Sequence, residues 1–119
     1  MYQPTVVFDF DGVIHSYKSG WKGATEIPDP PVDGIQQVIE DLQERGYRVV
    51  IVSSRCTEPE GIIAIRDWLK VSGFPCLEVM AEKPPAVVYV DDRAICFDGD
   101  CKTLYEKINN FKPWYQKGV

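Results

Sequence analysis

Short apolar runs along the chain alternate with longer segments in which apolar residues recur at helical spacing. The four clearest runs lie at 5–8, 47–52, 76–80 and 87–90. Apolar runs of this length, bounded by polar residues or turn residues, predict buried β-strands. A further run, Ala94–Phe97, predicts a fifth short strand.

Three segments carry apolar residues at the spacing of one helix face. The first face consists of Ile35, Val38, Ile39 and Leu42. The second consists of Ile62, Ile65, Trp68 and Leu69. The third, near the C-terminus, consists of Leu104, Ile108 and Phe111. The tail that follows, Lys112–Trp114, is expected to pack loosely against the domain.

Polar residues and glycines predict where these helices begin and end. Short oxygen-bearing side chains that favour N-cap positions precede the three helices at Asp33, Thr57 and Asp100. Gln36 and Glu60 follow the first two at the spacing of a capping box. Gly46 and Gly73 predict the ends of the first two helices, because glycine readily adopts the left-handed backbone that closes a helix.

The alternation of strands and helices predicts a single α/β domain over 1–119. Nearly continuous apolar strands are typical of a parallel sheet that is covered by helices on both faces, in a three-layer Rossmann-like arrangement. No repeat or linker divides the chain. In open parallel sheets ligands bind beyond the carboxyl ends of the strands, so the polar residues that follow each strand are the candidate site residues.

Composition excludes several classes of function. The 119 residues carry a net charge of -5, which disfavours binding to polyanions such as nucleic acid. No apolar run is long enough to span a membrane and the N-terminus lacks the features of a secretory signal. We therefore expect a cytoplasmic protein that does not bind membranes. Its cysteines should be reduced, and their spacing does not predict a zinc site: Cys56, Cys76, Cys96 and Cys101.

Acidic side chains follow two of the predicted strands. Asp9 and Asp11 are two residues apart, so in extended backbone both can face one site. Asp91 and Asp92 follow the predicted strand at 87–90. Four carboxylates at one sheet edge repel one another unless a cation or a shared proton compensates. Oxygen ligands without histidine or cysteine suit Mg²⁺, which we predict as the cofactor.

Four segments, in order, resemble the motifs of the haloacid dehalogenase (HAD) superfamily. Phe8–Val13 is similar to the hhhDxDG signature, and Val50–Ser53 to a strand that ends in serine or threonine. Lys83 resembles the lysine of the third motif, and Val88–Asp92 the acidic fourth motif. Together they span most of the chain. The resemblance implies a HAD-type fold and a phosphohydrolase that forms an aspartyl-phosphate.

The resemblance also implies a role for each matching residue. Asp9 would attack phosphorus, and Asp11 would protonate the leaving oxygen and then activate water. Ser53 would hydrogen-bond a phosphoryl oxygen, and Lys83 would neutralise charge beside Asp9 and the phosphoryl group. Mg²⁺ would be bound by Asp9, the Asp11 backbone carbonyl and the fourth motif, with Asp92 favoured over Asp91 as the direct ligand.

Protonation of the leaving oxygen by Asp11 requires a raised pKa at that carboxyl, and crowding by Asp9 would act in that direction. The residues after the second motif, Ser54 and Arg55, are further candidates for binding phosphate. Arg93 has the corresponding place after the fourth motif, and surface or structural ion pairing is an alternative for both arginines. The segment after the first motif, which holds His15, Tyr17, Lys18 and Trp21, forms a mobile flap in the HAD family. His15 would contact substrate there or be an exposed loop residue.

No segment is long enough for the cap domain that many HAD enzymes carry. The interval from Val13 to Val32 holds only a loop. The interval from Arg55 to Glu82 holds only one helix and one strand. The site should therefore be open to a phosphorylated small molecule or to a macromolecular end, including a nucleic-acid end. A second copy of the chain could supply a lid.

Three alternatives share parts of this pattern. A receiver-type phosphoacceptor domain would place an aspartate after the third strand, where this chain has Met80-Ala81, and a lysine after the fifth. A phosphotransferase would use the same residues with an acceptor other than water. A non-catalytic phosphate-binding module would keep the fold without turnover.

Overall fold

The computed structural model describes residues 2–116 and contains one parallel sheet. Its strands are β1 (Thr5–Asp9), β2 (Arg48–Val52), β3 (Glu78–Met80) and β4 (Val88–Val90). They lie in the order β3-β2-β1-β4, and every neighbouring pair is parallel. The predicted α/β class and the parallel sheet are confirmed.

The register brings the carboxyl ends of three strands to the same level. Phe8 pairs with Ile51 on one side and with Val90 on the other. The next residues in each strand are Asp9, Val52 and Asp91. Polar side chains at or just beyond these positions therefore meet at one edge of the sheet, as the position of the motifs predicted.

Two helices cover one face of the sheet. Helices α1 (Ile35–Glu44) and α2 (Pro59–Val71) bury their apolar faces against alternate residues of the strands. The strand residues of this core are Val6, Phe8, Val49, Ile51 and Val79. They alternate with residues that point to the opposite face because side chains in a strand repeat every two residues.

Both helices end as predicted, at Gly46 and Gly73. The amide of Gly46 donates to the Gln43 carbonyl, and the amide of Tyr47 donates to that of Leu42. The amides of Gly73 and Phe74 make the corresponding pair of hydrogen bonds at the end of α2. Both glycines have positive φ, 91° and 86°, which is the left-handed conformation that this termination requires.

The second face of the sheet has a smaller apolar cluster. Val7, Val50 and Val52 are buried there, with Met80 and Ala86 packed against them. The third helix, α3 (Leu104–Asn109), contributes no buried residue. The buried core of the described chain thus lies mainly between the sheet and the pair α1 and α2.

The predicted N-caps were wrong at all three helices. Helix α1 begins one residue later than a cap at Asp33 would place it, after Gly34 with φ 85°. Thr57 belongs to a 3-10 turn, Ser54–Thr57, and α2 opens on Pro59, whose fixed φ suits a first helical position. Asp100 instead accepts from the Lys102 amide in a turn that precedes α3.

The predicted fifth strand at Ala94–Phe97 is not formed in the structure. Residues 94–98 are irregular, and the next segment turns around Gly99. Asp98 accepts a hydrogen bond from the Asp100 amide, and such local side-chain bonds compete with strand pairing.

The C-terminal tail was expected to pack loosely, and this was wrong. Pro113 is buried, and Trp114 opens a short 3-10 turn, Trp114–Gln116. The Trp114 indole donates to the Gly12 carbonyl at 2.6 Å, across 102 positions of sequence. None of the described helices is long and apolar enough to cross a membrane.

Candidate active site

Three carboxylates converge at the carboxyl edge of the sheet. Asp9 ends β1, and Asp91 and Asp92 follow β4, the strand that pairs directly with β1. One oxygen from each carboxylate lies within 4.8 Å of the others, and we call Asp9, Asp91 and Asp92 the acidic cluster. The alignment of two adjacent parallel strands is therefore what brings these acids together.

This crowding changes the acidity of Asp9. Burial, a hydrogen bond with Asp92 and the negative charges of Asp91 and Asp92 raise the pKa of Asp9 to about 8. Carboxylates held this close are compensated either by a proton or by a cation. The donor atoms are all carboxylate oxygens, which matches the preference of Mg²⁺ and offers nothing to a soft metal.

Asp92 is more enclosed than Asp91. Its side chain is 3% exposed, and Oδ2 accepts a hydrogen bond from the Tyr115 hydroxyl at 2.7 Å. The Arg93 guanidinium is 3.9 Å from the same oxygen. Asp91 is more accessible, and its Oδ1 accepts from the Arg93 amide. The C-terminal tail therefore contacts the acidic cluster directly.

Gly12 makes this close packing feasible. A Cβ atom on Gly12 would overlap the Asp92 carboxylate and lie 2.7 Å from a ring carbon of Tyr115. The residue also has φ 84°, a conformation that other residues rarely adopt. Glycine is required here both by the conformation and by the space.

Asp11 has surroundings opposite to those of Asp9. Arg55 donates to both of its oxygens, Nε to Oδ2 at 2.9 Å and Nη2 to Oδ1 at 3.0 Å. The His15 ring lies 2.8 Å away through Nδ1. Burial opposes ionisation, but the bonds from His15 and Arg55 outweigh it and lower the pKa of Asp11. The raised pKa that we predicted for Asp11 is therefore wrong, and the raised value occurs at Asp9.

Arg55 connects Asp11 to the loop between β1 and α1. The side chain is fully buried, and its Nη1 donates to the carbonyls of Gly23, Ala24 and Glu26 at 2.8–3.0 Å. Arg55 was a candidate for binding a substrate phosphate, with structural ion pairing as the alternative, and the structure shows the ion pair. The placement of Arg55 argues against the phosphate contact, because the guanidinium already has Asp11 and three carbonyls as partners. The arginine instead anchors the loop that was predicted to be a mobile flap.

His15 was expected to contact substrate or to be an exposed loop residue, and instead it is completely buried. Nε2 accepts a hydrogen bond from the Asp29 amide at 3.1 Å. Nδ1 is then the ring nitrogen that donates to Asp11. Phe10 stacks on the ring, and Trp68 contacts it edge-on.

A cavity of about 530 Å³ opens above the acidic cluster. Asp9, Asp11, Asp91 and Asp92 line its base, together with Ser53 and Ser54. Ser53 is buried, and its Oγ accepts from the Arg55 amide. Six of the eight predicted site residues thus share one cavity. The other two are Arg55, described above, and Lys83.

Lys83 lies at the margin of the site. Its ammonium group is 3.7 Å from Asp91 Oδ2 and 5.5 Å from the centre of the Tyr89 ring. The side chain is 55% exposed and does not line the cavity. Lys83 was predicted to lie beside Asp9, and in the structure the member of the acidic cluster that it approaches is Asp91.

Sequence reasoning missed Tyr115 and treated Tyr17 and Trp21 only as members of a flap. Tyr17 and Trp21 line the cavity, and Tyr115 bonds to Asp92. The weak signal for Tyr115 was an aromatic pair, Trp114-Tyr115, in a tail without helical periodicity. No spacing rule relates that pair to residues so far away in sequence.

No protein-family model matches this chain, and no curated protein matches it in sequence. Fold alone does not determine function, so the functional argument rests on the residues of the site.

Proposed function

We propose that this chain is a Mg²⁺-dependent phosphohydrolase of the HAD type that acts on phosphate monoesters with Asp9 as nucleophile. The observation that carries the proposal is the convergence of Asp9, Asp91 and Asp92 within 4.8 Å at the base of a cavity. The three-layer Rossmann-like arrangement without a cap domain is part of the proposal. The parallel sheet, with its acids at the carboxyl edge, supports it.

The donor set fits a hard divalent cation. Asp9 and the acids after β4 would hold Mg²⁺, with the Asp11 carbonyl as the further ligand that the family resemblance implies. When bound, the ion would offset the repulsion between an anionic phosphate and these carboxylates and would stabilise charge in the transition state. The raised pKa of Asp9 reflects how closely the three carboxylates are crowded, and a bound cation would offset that repulsion.

Asp9 acts as the nucleophile in the first step. One of its carboxylate oxygens attacks phosphorus, the bond from phosphorus to the ester oxygen breaks, and the leaving oxygen takes up a proton. In the second step water attacks the phosphorus of the aspartyl-phosphate, and inorganic phosphate and free Asp9 are produced. A carboxylate suits this role because its acyl phosphate is readily hydrolysed.

Asp11 transfers the protons of both steps. Its lowered pKa supports the second step, in which an ionised carboxylate accepts a proton from the attacking water. In the first step Asp11 must carry a proton, which a dianionic phosphate beside it would favour because like charge raises a carboxyl pKa. Arg55 and His15 hold the carboxylate in position throughout.

The remaining polar groups contact the phosphoryl oxygens. Ser53 and Ser54 line the cavity beyond β2 and can donate hydroxyl hydrogens. Lys83 offsets negative charge near Asp91, at 3.7 Å in the free protein. Because it is largely exposed, its side chain is free to move toward a bound phosphate.

The proposal is tested by phosphate release from an aryl phosphate, measured with Mg²⁺ and with EDTA. Wild-type protein should turn over only with Mg²⁺, and Asp9→Asn should lose nearly all activity. Asp98→Asn is the matched control, since Asp98 also precedes a second aspartate by two positions, at Asp100, but lies on the surface. Equal activity in EDTA, or full activity in Asp9→Asn, would contradict the proposal.

A further inference from the structure

The cavity has two chemically different sides. It is lined by the acids to which the proposed hydrolysis is assigned and also by Tyr17, Trp21 and Arg93. Because Trp21 and Arg93 are largely exposed, we call this second part of the lining the mouth. The proposed chemistry at phosphorus uses none of these three residues. Their position indicates contacts with another part of the substrate.

Trp21 is exposed yet held in place. Its side chain lies over the Arg55 guanidinium, with 4.8 Å between the guanidinium carbon and the ring centre. Arg55 is fully buried, but Trp21 remains 53% exposed, so solvent must reach the side of the ring that faces away from the arginine. A flat apolar surface that is fixed from below and open at the mouth of a cavity is suited to stacking another ring.

Tyr17 has an unfavourable backbone conformation at the same mouth. It is the one residue other than glycine in the described chain with positive φ, at 62°. Bulky residues rarely adopt this region, and such conformations persist where the surroundings enforce them, often beside ligands. Edge-on contacts with His15 and Tyr115 hold the ring, at centre distances of 5.9 Å and 5.8 Å.

Arg93 adds a positive charge to this aromatic wall. Its side chain is 63% exposed and is the one cationic group among the described residues that line the cavity. A guanidinium can stack on a ring or pair with polar ring atoms. Tyr17, Trp21 and Arg93 therefore offer two planar rings and a planar cation to the substrate. These groups suit a substrate with an aromatic ring better than a small polyol.

We propose that the substrate is a phosphate monoester whose leaving group carries a planar aromatic ring, as in a nucleoside monophosphate, and that the ring stacks on Trp21. A cavity of about 530 Å³ is within the range of small-molecule sites. The inference rests on the proposed function for the phosphate end of the substrate. It adds the chemical class of the other end.

The test compares adenosine monophosphate with ribose phosphate esterified at the same hydroxyl, so that only the base differs. Wild-type kcat/KM should be roughly 10-fold higher with the base present, a typical effect of stacking one base on an aromatic side chain. Trp21→Ala should remove that preference, so that its kcat/KM becomes similar for the two substrates, whereas Trp21→Phe should keep most of it. Tyr105→Ala, an exposed aromatic residue on α3, should behave as wild type. Equal kcat/KM for the two substrates would overturn the inference.

Binding measurements separate this inference from the hydrolase proposal. Calorimetric titration of the Asp9→Asn protein with adenosine and with phenol should show binding of the ring compounds that Trp21→Ala weakens. Tighter binding of adenosine would identify a nucleoside rather than a simple aryl group as the source of the ring. Ring binding without any phosphatase activity would contradict only the proposed function. Absence of binding by both ring compounds would overturn the ring-stacking inference even if phosphatase activity is found.

Discussion

The Tyr115 hydroxyl donates a hydrogen bond to the Asp92 carboxylate at 2.7 Å and so ties the C-terminal tail to the acidic cluster. Asp92 is otherwise almost enclosed, and this bond occupies its Oδ2. Outer partners of this kind orient the carboxylates that bind metals. The tail is therefore part of the site, although Tyr115 follows Asp92 by 23 positions in the chain.

Tyr115→Phe should weaken divalent metal binding without unfolding the protein. The change removes only the hydroxyl that holds Asp92, and such outer partners typically contribute about 10-fold to metal affinity. Calorimetric titration with Mg²⁺ or Mn²⁺ gives the measurement. Tyr105→Phe, on the exposed helix α3, is the control. An unchanged Kd in Tyr115→Phe would show that Asp92 does not depend on the tail.

Gly12→Ala should destabilise the protein more than Gly99→Ala. Both glycines have similar positive φ, 84° and 89°, so both substitutions carry a conformational cost of about 1–2 kcal/mol. Only at Gly12 does the new Cβ also overlap Asp92 and Tyr115, since nothing lies within 4 Å of Gly99. Urea unfolding of the two variants isolates the packing contribution. Equal losses of unfolding free energy would refute the close contact at Gly12.

Arg55→Ala should reduce the free energy of unfolding by about 3–5 kcal/mol, the usual result of breaking a buried ion pair. It leaves Asp11 without its main partner and frees the carbonyls at Gly23, Ala24 and Glu26. Hydrogen exchange should also increase in the loop at 23–26. Arg48→Ala removes an arginine that bonds Glu78 through two nitrogens at the surface, and should cost much less. Similar losses in the two variants would mean that Arg55 does not anchor the loop.

The metal-free protein should become less stable as pH rises from about 4 to about 8. The pKa of Asp9 is raised from 3.8 to about 8 in the folded protein, so in this window the folded chain holds a proton that the unfolded chain has lost. Asp11 acts in the opposite sense, because its pKa is lowered. Its contribution is present above pH 3.8 and is lost only in stronger acid, as pH falls through the folded value.

Urea unfolding in EDTA across this pH range measures the effect. Asp9→Asn should flatten the decline, because the titrating group is gone. Mg²⁺ should flatten it as well, since a bound cation favours the ionised carboxylate. Wild-type stability that is constant or rises over this range in EDTA would show that the crowding of Asp9 is not as described.

Sequence alone predicted the sheet and most of the acidic cluster because both depend on local pattern. Apolar runs marked the strands, and parallel pairing then placed Asp9 beside Asp91 and Asp92. Gly46 and Gly73 were predicted correctly because a left-handed helix end depends on the glycine itself.

The features that sequence did not predict depend on tertiary contacts. The raised pKa was predicted for Asp11 and occurs at Asp9 instead, because Arg55, which lies 44 positions from Asp11, pairs with the Asp11 carboxylate. Trp114 and Tyr115 were missed because their partners are distant in the chain. The N-cap at Asp33 was wrong because local propensity is weak where Gly34 can open the helix instead.

The most direct test of the central claim is to locate the phosphoryl group on the protein during turnover. Protein mixed with radiolabelled aryl phosphate and Mg²⁺ should be quenched in acid and digested, and the labelled peptide identified by mass spectrometry. The account predicts label on Asp9 in the wild-type protein and none in Asp9→Asn. Label on a different side chain, or undiminished phosphate release by Asp9→Asn, would contradict it.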